Sequence, residues 1–431
     1  MRIVHLVSGA GQMYCGSCMH ANALVTALQS AGHDALLVPA YTPVRTDDDS
    51  VSVDHIVFGG LNVYLQQKVG LFRRTPWALD RLLDRPWLLR WLGKLGTSTR
   101  PESLGELTVS MLRGEEGRQG KELEKLLCWL KDDLRPEVVH LSNVLLVGMA
   151  REIARELRVP VVCSLSGEDI FLERLVEPYY SQAREALRER CRDLDALVAM
   201  NGYFADFMSQ YLAVERERIR VIRPGLNLDG YGMRPAGSKD GEFVIGFLGR
   251  ICPEKGLHLL AEAFTHLAEE TDLGPLRLAA AGYLPPAEKP YLEEIRGMLG
   301  QFGLAERFEY RGEPDRAGKI AFLKSLDLMS LPTVYRESKG LPVLEAWACG
   351  VPVVLPSHGA FPEMVADCGA GLLCTPQDPR SLADCMKELI LDRERTRELG
   401  RAGHAAVHER YGIRREAAET ARLYEDLRSN D

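Results

Sequence analysis

Twice along this chain, short apolar runs of strand length alternate with amphipathic stretches of helix length. Each time, the first apolar run opens into a loop that carries glycine. The first series begins at 2–8, continues through a helix at 20–31 and a strand at 35–40, and resumes with strands at 138–141, 159–165, 196–200 and 219–222. The second begins at 243–248 and runs through strands at 276–281, 308–311, 328–332, 351–356 and 371–374. Such alternation predicts a parallel sheet, because each strand returns to the same end through a crossover helix. A chain of 431 residues exceeds the roughly 250–300 residues that one core usually supports. The two series are therefore read as two Rossmann-like α/β domains facing across a cleft. The boundary falls at the turn-rich Arg223-Pro224-Gly225-Leu226-Asn227, giving an N-terminal domain over 1–224 and a C-terminal domain over 225–410. A last helix over 411–431 is expected to pack back on the first domain.

In open α/β sheets, ligands gather beyond the carboxyl ends of the strands. In the first series those ends present His140, Asn143, Ser166, Glu168 and Asp169, together with Gly11 in the first loop. The loop Gly9-Ala10-Gly11-Gln12-Met13-Tyr14 is not a dinucleotide fingerprint. Tyr14 stands where the third glycine belongs, and no acidic residue ends the second strand. Nicotinamide binding is thus disfavoured. Cys15 and Cys18 have redox spacing, but no second cysteine pair completes a metal set, and neither a metal nor a redox role is expected. In the second series the first loop is Gly249-Arg250-Ile251-Cys252-Pro253-Glu254-Lys255-Gly256. Gly282, Gly312 and Glu313 come after later strands.

The densest stretch is Tyr335-Arg336-Glu337-Ser338-Lys339-Gly340-Leu341-Pro342-Val343-Leu344-Glu345. Proline favours the first helical position, so a helix starting at Pro342 puts Gly340 and Leu341 at its mouth. There, unpaired N–H groups and the positive dipole end suit an anion such as phosphate. Glu337 and Glu345 bracket that mouth and suit the hydroxyls of a phosphorylated sugar. A capped surface helix would show the same spacing, so this stretch gains weight only from Arg250 and Lys255.

Residues 66–120 interrupt the alternation and are read as a helical insertion. Within it, Lys68, Arg73, Arg74, Arg81, Arg85, Arg90 and Lys94 accompany Trp77, Trp87 and Trp91, a pairing suited to a packed subdomain or to peripheral contact with a membrane. The formal net charge of −8 disfavours nucleic acid as partner. Ten cysteines scattered through apolar runs suggest a reduced, cytoplasmic chain, and no run is long enough to span a membrane.

In combination these motifs resemble the retaining glycosyltransferases of the large group 1, family 4 class, which have the two-domain GT-B fold. The Gly249–Gly256 loop resembles the family's Gly-Arg…Glu-Lys-Gly signature, and Glu337…Glu345 its paired-glutamate signature. Ala346-Trp347-Ala348-Cys349-Gly350-Val351-Pro352-Val353 and Gly359-Ala360-Phe361-Pro362-Glu363 resemble the family's next segments, on the carboxyl side of the paired glutamates. The resemblance implies transfer of a sugar from a nucleoside-diphosphate sugar to a hydroxyl acceptor, with no metal and no further cofactor. It assigns Arg250 and Lys255 to the diphosphate, Glu345 to the ribose and Glu337 to the transferred sugar. Ser338, Lys339, Gly340 and Leu341 would contact phosphate and sugar. Gly11, Gly249 and Gly282 would lie close to the donor, and Gly312 and Glu313 would hold the base. His140, Asn143, Ser166 and Asp169 would face acceptor or sugar. Two departures stand out. Ser166 occupies the position at which the family often has histidine, and Ser338-Lys339 replaces the usual Gly-Phe. They leave open a nucleotide-sugar-binding protein without transferase activity. A phosphorylase or an epimerase on the same architecture is a more distant alternative.

Overall fold

A computed structural model describes residues 1–9, 16–53, 56–57, 101–234 and 241–429, without the side chains of 101–103. Gly11, Cys15 and residues 66–100 of the insertion, with every Lys, Arg and Trp named in it, lie outside the described residues, while its remainder includes the helix Pro101–Leu112. The chain divides into two compact units, Met1–Arg223 with Arg414–Asp431, and Pro224–Ile413.

The first unit is built on β1 (Arg2–Val7), β2 (Asp34–Pro39), β3 (Val138–Leu141), β4 (Val161–Ser164), β5 (Ala196–Ala199) and β6 (Ile219–Val221). The order is β2-β1-β3-β4-β5-β6, and every pairing is parallel. Val4, Leu6, Val139, Leu141, Val161 and Cys163 are buried in one core. Strands covered on both faces read as continuous apolar runs, which is why they are visible in the sequence. The chain reverses direction across the sheet between β1 and β3, so the loops after these two strands flank the switch point.

The second unit holds β7 (Phe243–Leu248), β8 (Leu276–Ala281), β9 (Phe308–Tyr310), β10 (Leu328–Ser330), β11 (Val353–Pro356) and β12 (Gly371–Cys374). Its order, β12-β11-β10-β7-β8-β9, is again all parallel. Here the switch point lies between β7 and β10. It brings together the loop after Leu248 and the loop after Ser330, the two stretches that carry the charged motifs.

Three elements differ from the sequence reading. The helix of the paired-glutamate stretch spans Leu341–Ala348, with left-handed Gly340 as its cap. Pro342 is therefore second rather than first, a position equally free of the need for an N–H donor. The long helical segment near 380–409 is two helices, Pro379–Leu391 and Arg393–Arg410. Asp392 breaks it by leaving helical geometry and capping the second helix through the Arg395 N–H at 2.9 Å. The first helix begins at Gly16, before His20.

Candidate active site

β7 ends at Leu248, and the chain then crosses the edge of the sheet through Gly249. Its N–H donates to the Ala281 carbonyl at 3.0 Å. Pro253–Lys255 forms a single turn, and Gly256 leads into the helix Leu257–Glu269. Gly256 has φ 80°, and a Cβ there would lie 1.9 Å from the Pro332 carbonyl oxygen. This position needs glycine both for its backbone and for the close approach of the loop after β10. A second tie, the Val334 N–H to the Glu254 carbonyl at 2.9 Å, fixes the same two loops.

Through that contact Lys255 meets Glu337. The Lys255 ammonium lies 2.8 Å from Glu337 Oε2 and also donates to the Tyr335 hydroxyl. The Tyr335 hydroxyl in turn donates to Glu337 Oε2 at 2.8 Å. Glu337 Oε1 accepts from the Ser338 and Lys339 N–H groups, each at 3.2 Å. Burial disfavours the Glu337 carboxylate, yet Lys255, Tyr335 and the Lys339 N–H outweigh it and bring its pKa down to about 2. Burial likewise opposes the Lys255 charge, but Glu337 and then Tyr335 hold its pKa above the usual lysine value. The cluster is a stable ion pair at neutral pH, although Glu337 is only 6% exposed.

The back of this turn is propped by the segment Ser357–Phe361. The Ala360 N–H donates to the Glu337 carbonyl, and the His358 Nε2–H donates to the Thr333 carbonyl at 2.9 Å. Gly359 has φ 63°, and a Cβ there would stand 2.7 Å from the Glu337 nitrogen. In front, the N–H groups of Gly340 and Leu341 have no partner among the described residues. These groups, Lys255 and the exposed Arg250 form a cationic mouth at the switch point. The Arg250 Nε–H rests on the Cys252 sulfur at 3.4 Å.

The remaining donor-side residues are placed as follows. Glu345 lies one turn into the helix and accepts from the Tyr231 hydroxyl at 3.1 Å. It also pairs with Lys319 at 2.5 Å. Gly282 donates to the Gly312 carbonyl at 2.8 Å, and Tyr310 caps the Gly282 carbonyl at 2.7 Å, so the ends of β8 and β9 form one rim beside half-buried Glu313. Lys339 is 9% exposed and does not extend into solvent. Sequence reasoning missed Tyr335, Tyr231 and Lys319, because each meets a partner distant in the chain, Lys255 for Tyr335 and Glu345 for the other two.

In the first unit the structure departs from the expected sugar contacts. His140 is 1% exposed; its Nδ1 is bonded to the Tyr424 hydroxyl at 2.5 Å and its Nε2 to the Ser164 hydroxyl at 2.8 Å. With both ring nitrogens engaged, it is a core residue and not a ligand contact. Asn143 caps the turn Val144–Met149 through the Leu145 N–H and donates to the Ser8 hydroxyl at 2.9 Å. The Ser166 hydroxyl donates to Glu168 at 2.8 Å. Asp169 keeps one buried carboxylate oxygen without a partner, and burial followed by the Glu168 charge raises its pKa to about 6. Cys18 is buried in the helix Gly16–Ser30. Among the described residues, no group of three or more His, Cys, Asp or Glu side chains is arranged to hold a metal ion, and no helix is long and apolar enough to cross a membrane.

Residues 233–405 match the family described as Glycosyl transferases group 1, and residues 16–225 match the Glycosyl transferase 4-like domain. Relatives include the D-inositol 3-phosphate glycosyltransferase of Stackebrandtia nassauensis, 27% identical over 81% of this chain and 83% of that protein. The enzyme of the same name from Nocardia farcinica is 29% identical over 50% of this chain and 49% of that protein, so the chain spans about half the length of that relative. The sucrose-phosphate synthase of Thermosynechococcus elongatus shares the fold, with a TM-score of 0.73 at 16% identity over 100% of both chains. Anabaena HepE in complex with UDP does so with a TM-score of 0.67 at 18% identity, over 99% of this chain and 100% of that one.

Proposed function

We propose, because this chain belongs to the glycosyl transferases group 1 family, that it moves a sugar from a nucleoside-diphosphate sugar to a hydroxyl acceptor with retention of configuration and without a metal. The observation that carries this reading is the meeting of Lys255 and Glu337, 82 positions apart in the chain and 2.8 Å apart at the switch point of the second sheet. A departing nucleoside diphosphate needs fixed positive charge where its own negative charge develops. Lys255, Arg250 and the N–H groups of Gly340 and Leu341 supply that charge. As the bond from C1 to the phosphate oxygen breaks, the acceptor oxygen bonds C1 from the same face, and its proton passes to the leaving phosphate. No side chain attacks the sugar. Catalysis then consists of positioning and of stabilising the oxocarbenium-like state together with the diphosphate.

UDP is the natural first donor base to test, given the Anabaena neighbour. The inositol-phosphate relatives make a phosphorylated polyol the first acceptor. The test is a thermal-shift screen against UDP-, GDP- and ADP-sugars, followed by transfer assays on a panel including inositol 3-phosphate. Stabilisation by one nucleotide class and release of its diphosphate on transfer support the reading. Unaltered turnover in Lys255→Ala would sink it. Tight donor binding without hydrolysis or transfer on any acceptor would instead indicate a binding protein, a reading that gains from the engagement of Ser166 by Glu168.

A further inference from the structure

Glu345 is anchored on one side only. Its Oε1 accepts from the Tyr231 hydroxyl at 3.1 Å and pairs with the Lys319 ammonium at 2.5 Å, while Oε2 has no hydrogen-bond partner among the described residues. Backbone structure places both anchors. Lys319 ends the first turn of the helix Arg316–Lys324, which Asp315 caps through the Gly318 N–H at 2.8 Å. Tyr231 lies on the strap 225–234, and the same helix binds that strap down. Arg316 donates to the Asn227 and Asp229 carbonyls at 2.8 and 2.9 Å, and Lys324 to the Gly230 carbonyl at 3.3 Å. The Arg316 guanidinium also lies 5.4 Å from the Tyr231 ring centroid, within range of a cation–π attraction. At the far end of the strap, the Arg234 N–H donates to the Cys349 carbonyl at 2.9 Å, where the helix Leu341–Ala348 that carries Glu345 closes. Tyr231 is buried, and burial followed by the Glu345 charge raises its pKa, so the phenol stays a donor at neutral pH.

We propose that Tyr231 and Lys319 are positioning residues that act through Glu345 and set a preference for ribonucleotides over 2′-deoxyribonucleotides. An ionised carboxylate offers about four acceptor positions. Tyr231 and Lys319 fill two of them, and the remaining positions match the two hydroxyls of a ribose. The side chains of Lys319 and Glu345 are only 11% and 13% exposed. An ion pair so enclosed, if kept for stability alone, gains by engaging both carboxylate oxygens, because an unfilled acceptor costs free energy. Here both anchors hold one oxygen. They fix the direction of the carboxylate and leave acceptors for a ligand. Glu345 also lies one turn inside the helix whose mouth presents the Gly340 and Leu341 N–H groups to an anion. The ribose of a nucleoside diphosphate is joined to its phosphates through a single CH2–O group, so one helix can hold both parts.

This inference rests on the donor-site reading, so the probes separate the two. Calorimetric Kd values are measured for inorganic pyrophosphate, for whichever of UDP, GDP and ADP binds best, and for its 2′-deoxy counterpart. The proteins are wild type, Tyr231→Phe, Lys319→Met, Glu345→Ala and the double variant of Tyr231→Phe with Glu345→Ala. A hydrogen bond to a charged group corresponds to about tenfold to a hundredfold in affinity, so wild type should prefer the ribonucleotide at least about tenfold. Glu345→Ala should remove most of that preference. Tyr231→Phe and Lys319→Met should each lower it at least about threefold, the scale of coupling within one hydrogen-bond network, and leave binding of the 2′-deoxynucleotide and pyrophosphate within about twofold. A residue that only supported the fold, or that itself touched base or phosphate, would weaken both nucleotides alike. In the Glu345→Ala background, Tyr231→Phe should change the preference no further. Circular dichroism checks each fold, and Lys319→Gln replaces Lys319→Met if the latter does not fold. Full preference retained in both single variants would overturn the proposal and leave the donor site standing; retained in one, it would overturn that residue's role. A wild type that binds both nucleotides equally would overturn the proposal as well. A wild type that binds neither nucleotide nor pyrophosphate would overturn the donor-site reading and this assignment with it.

Discussion

In the first sheet the histidines His5 and His140 are neutral and turned inward, whereas at the carboxyl edge of the second Lys255 and Glu337 are charged and paired beside an open mouth. His140 stacks on His5 with ring centroids 4.4 Å apart and bonds to Tyr424 and Ser164. Burial, the larger cause, and neighbouring histidine charge hold the pKa of His140 well below its usual value and bring that of His5 down to about 3. Tyr424 lies on the closing helix Ile413–Ser429, which is also tied to the first unit by Glu416 to His20 at 2.9 Å and by Arg428 to Glu137 at 2.5 Å. Lys255 and Glu337, by contrast, resist burial by pairing. The same fold thus supports opposite electrostatics at equivalent edges. Neutral buried networks position elements, while a balanced ion pair with one donor to spare can hold an anion. Strong pKa shifts alone do not mark a site, since the histidine shifts belong to the scaffold.

The largest effect that would break this contrast is on turnover. Lys255→Ala should lower sugar transfer by about a thousandfold, the scale seen when one fixed donor is removed from developing charge. Its far-UV circular dichroism should match wild type. A variant within threefold of wild type would put the charged edge on a par with the neutral one.

The fold class was legible because doubly covered strands are apolar throughout and their crossovers are amphipathic. Strand order was not legible. Nothing local to Lys255 or Glu337 says that β7 and β10 are neighbours, and only that adjacency makes the two residues a pair. The charged motif residues were visible as types at the ends of strands, but Tyr335 carried no signal beyond being aromatic. His140 misled for the complementary reason. Its position at the end of β3 suggested a ligand contact, while the partner that turns it inward, Tyr424, is 284 positions away. Residues whose role is set by a distant partner escape local reading, in either direction.

Next in size is the scaffold role of His140. His140→Ala removes a fully buried ring and leaves the Tyr424 and Ser164 hydroxyls without that partner. It should cost about 3 kcal/mol in urea unfolding, from cavity and lost hydrogen bonds together. If the variant folds, its pyrophosphate Kd should stay within threefold of wild type. A large loss of affinity with little loss of stability would reverse the assignment.

Acidification separates the two edges further. His5 and His140 have folded pKa values below the unfolded value near 6.5, so their contribution is complete above that pH. It fades as pH falls toward about 3 for His5. Glu337 has a folded pKa of about 2, so its contribution is complete above roughly 4.5 and fades as pH falls toward 2. Between pH 6.5 and 5, only the first of these contributions declines. Hydrogen exchange, corrected for intrinsic rate, should show protection in β1 and β3 falling about tenfold over that interval, with β7 and β10 nearly unchanged. Equal loss in both sheets would show that the histidine network does not set acid stability.

The smallest effect has the opposite sign. Asp169 at the first edge resembles the second in being a carboxylate with a buried oxygen, but that oxygen has no hydrogen-bond partner among the described residues. Its pKa of about 6 means that folding disfavours its charged form. The resulting penalty is complete above pH 6 and vanishes below about pH 4, where the unfolded chain also carries the neutral acid. A shift of this size corresponds to about 3 kcal/mol at 1.36 kcal/mol per unit, but the side chain is only half-buried and solvent screening reduces the effect. Asp169→Asn should therefore stabilise the protein by about 1 kcal/mol at pH 7 and by nothing at pH 4, read from urea midpoints at both values. Stabilisation at neutral pH with transfer intact would make Asp169 a tolerated strain in the scaffold. Stabilisation with transfer lost would mean that an unpaired charge at the first edge is kept for function, and the contrast between the two sheets would narrow to the presence or absence of a partner lysine.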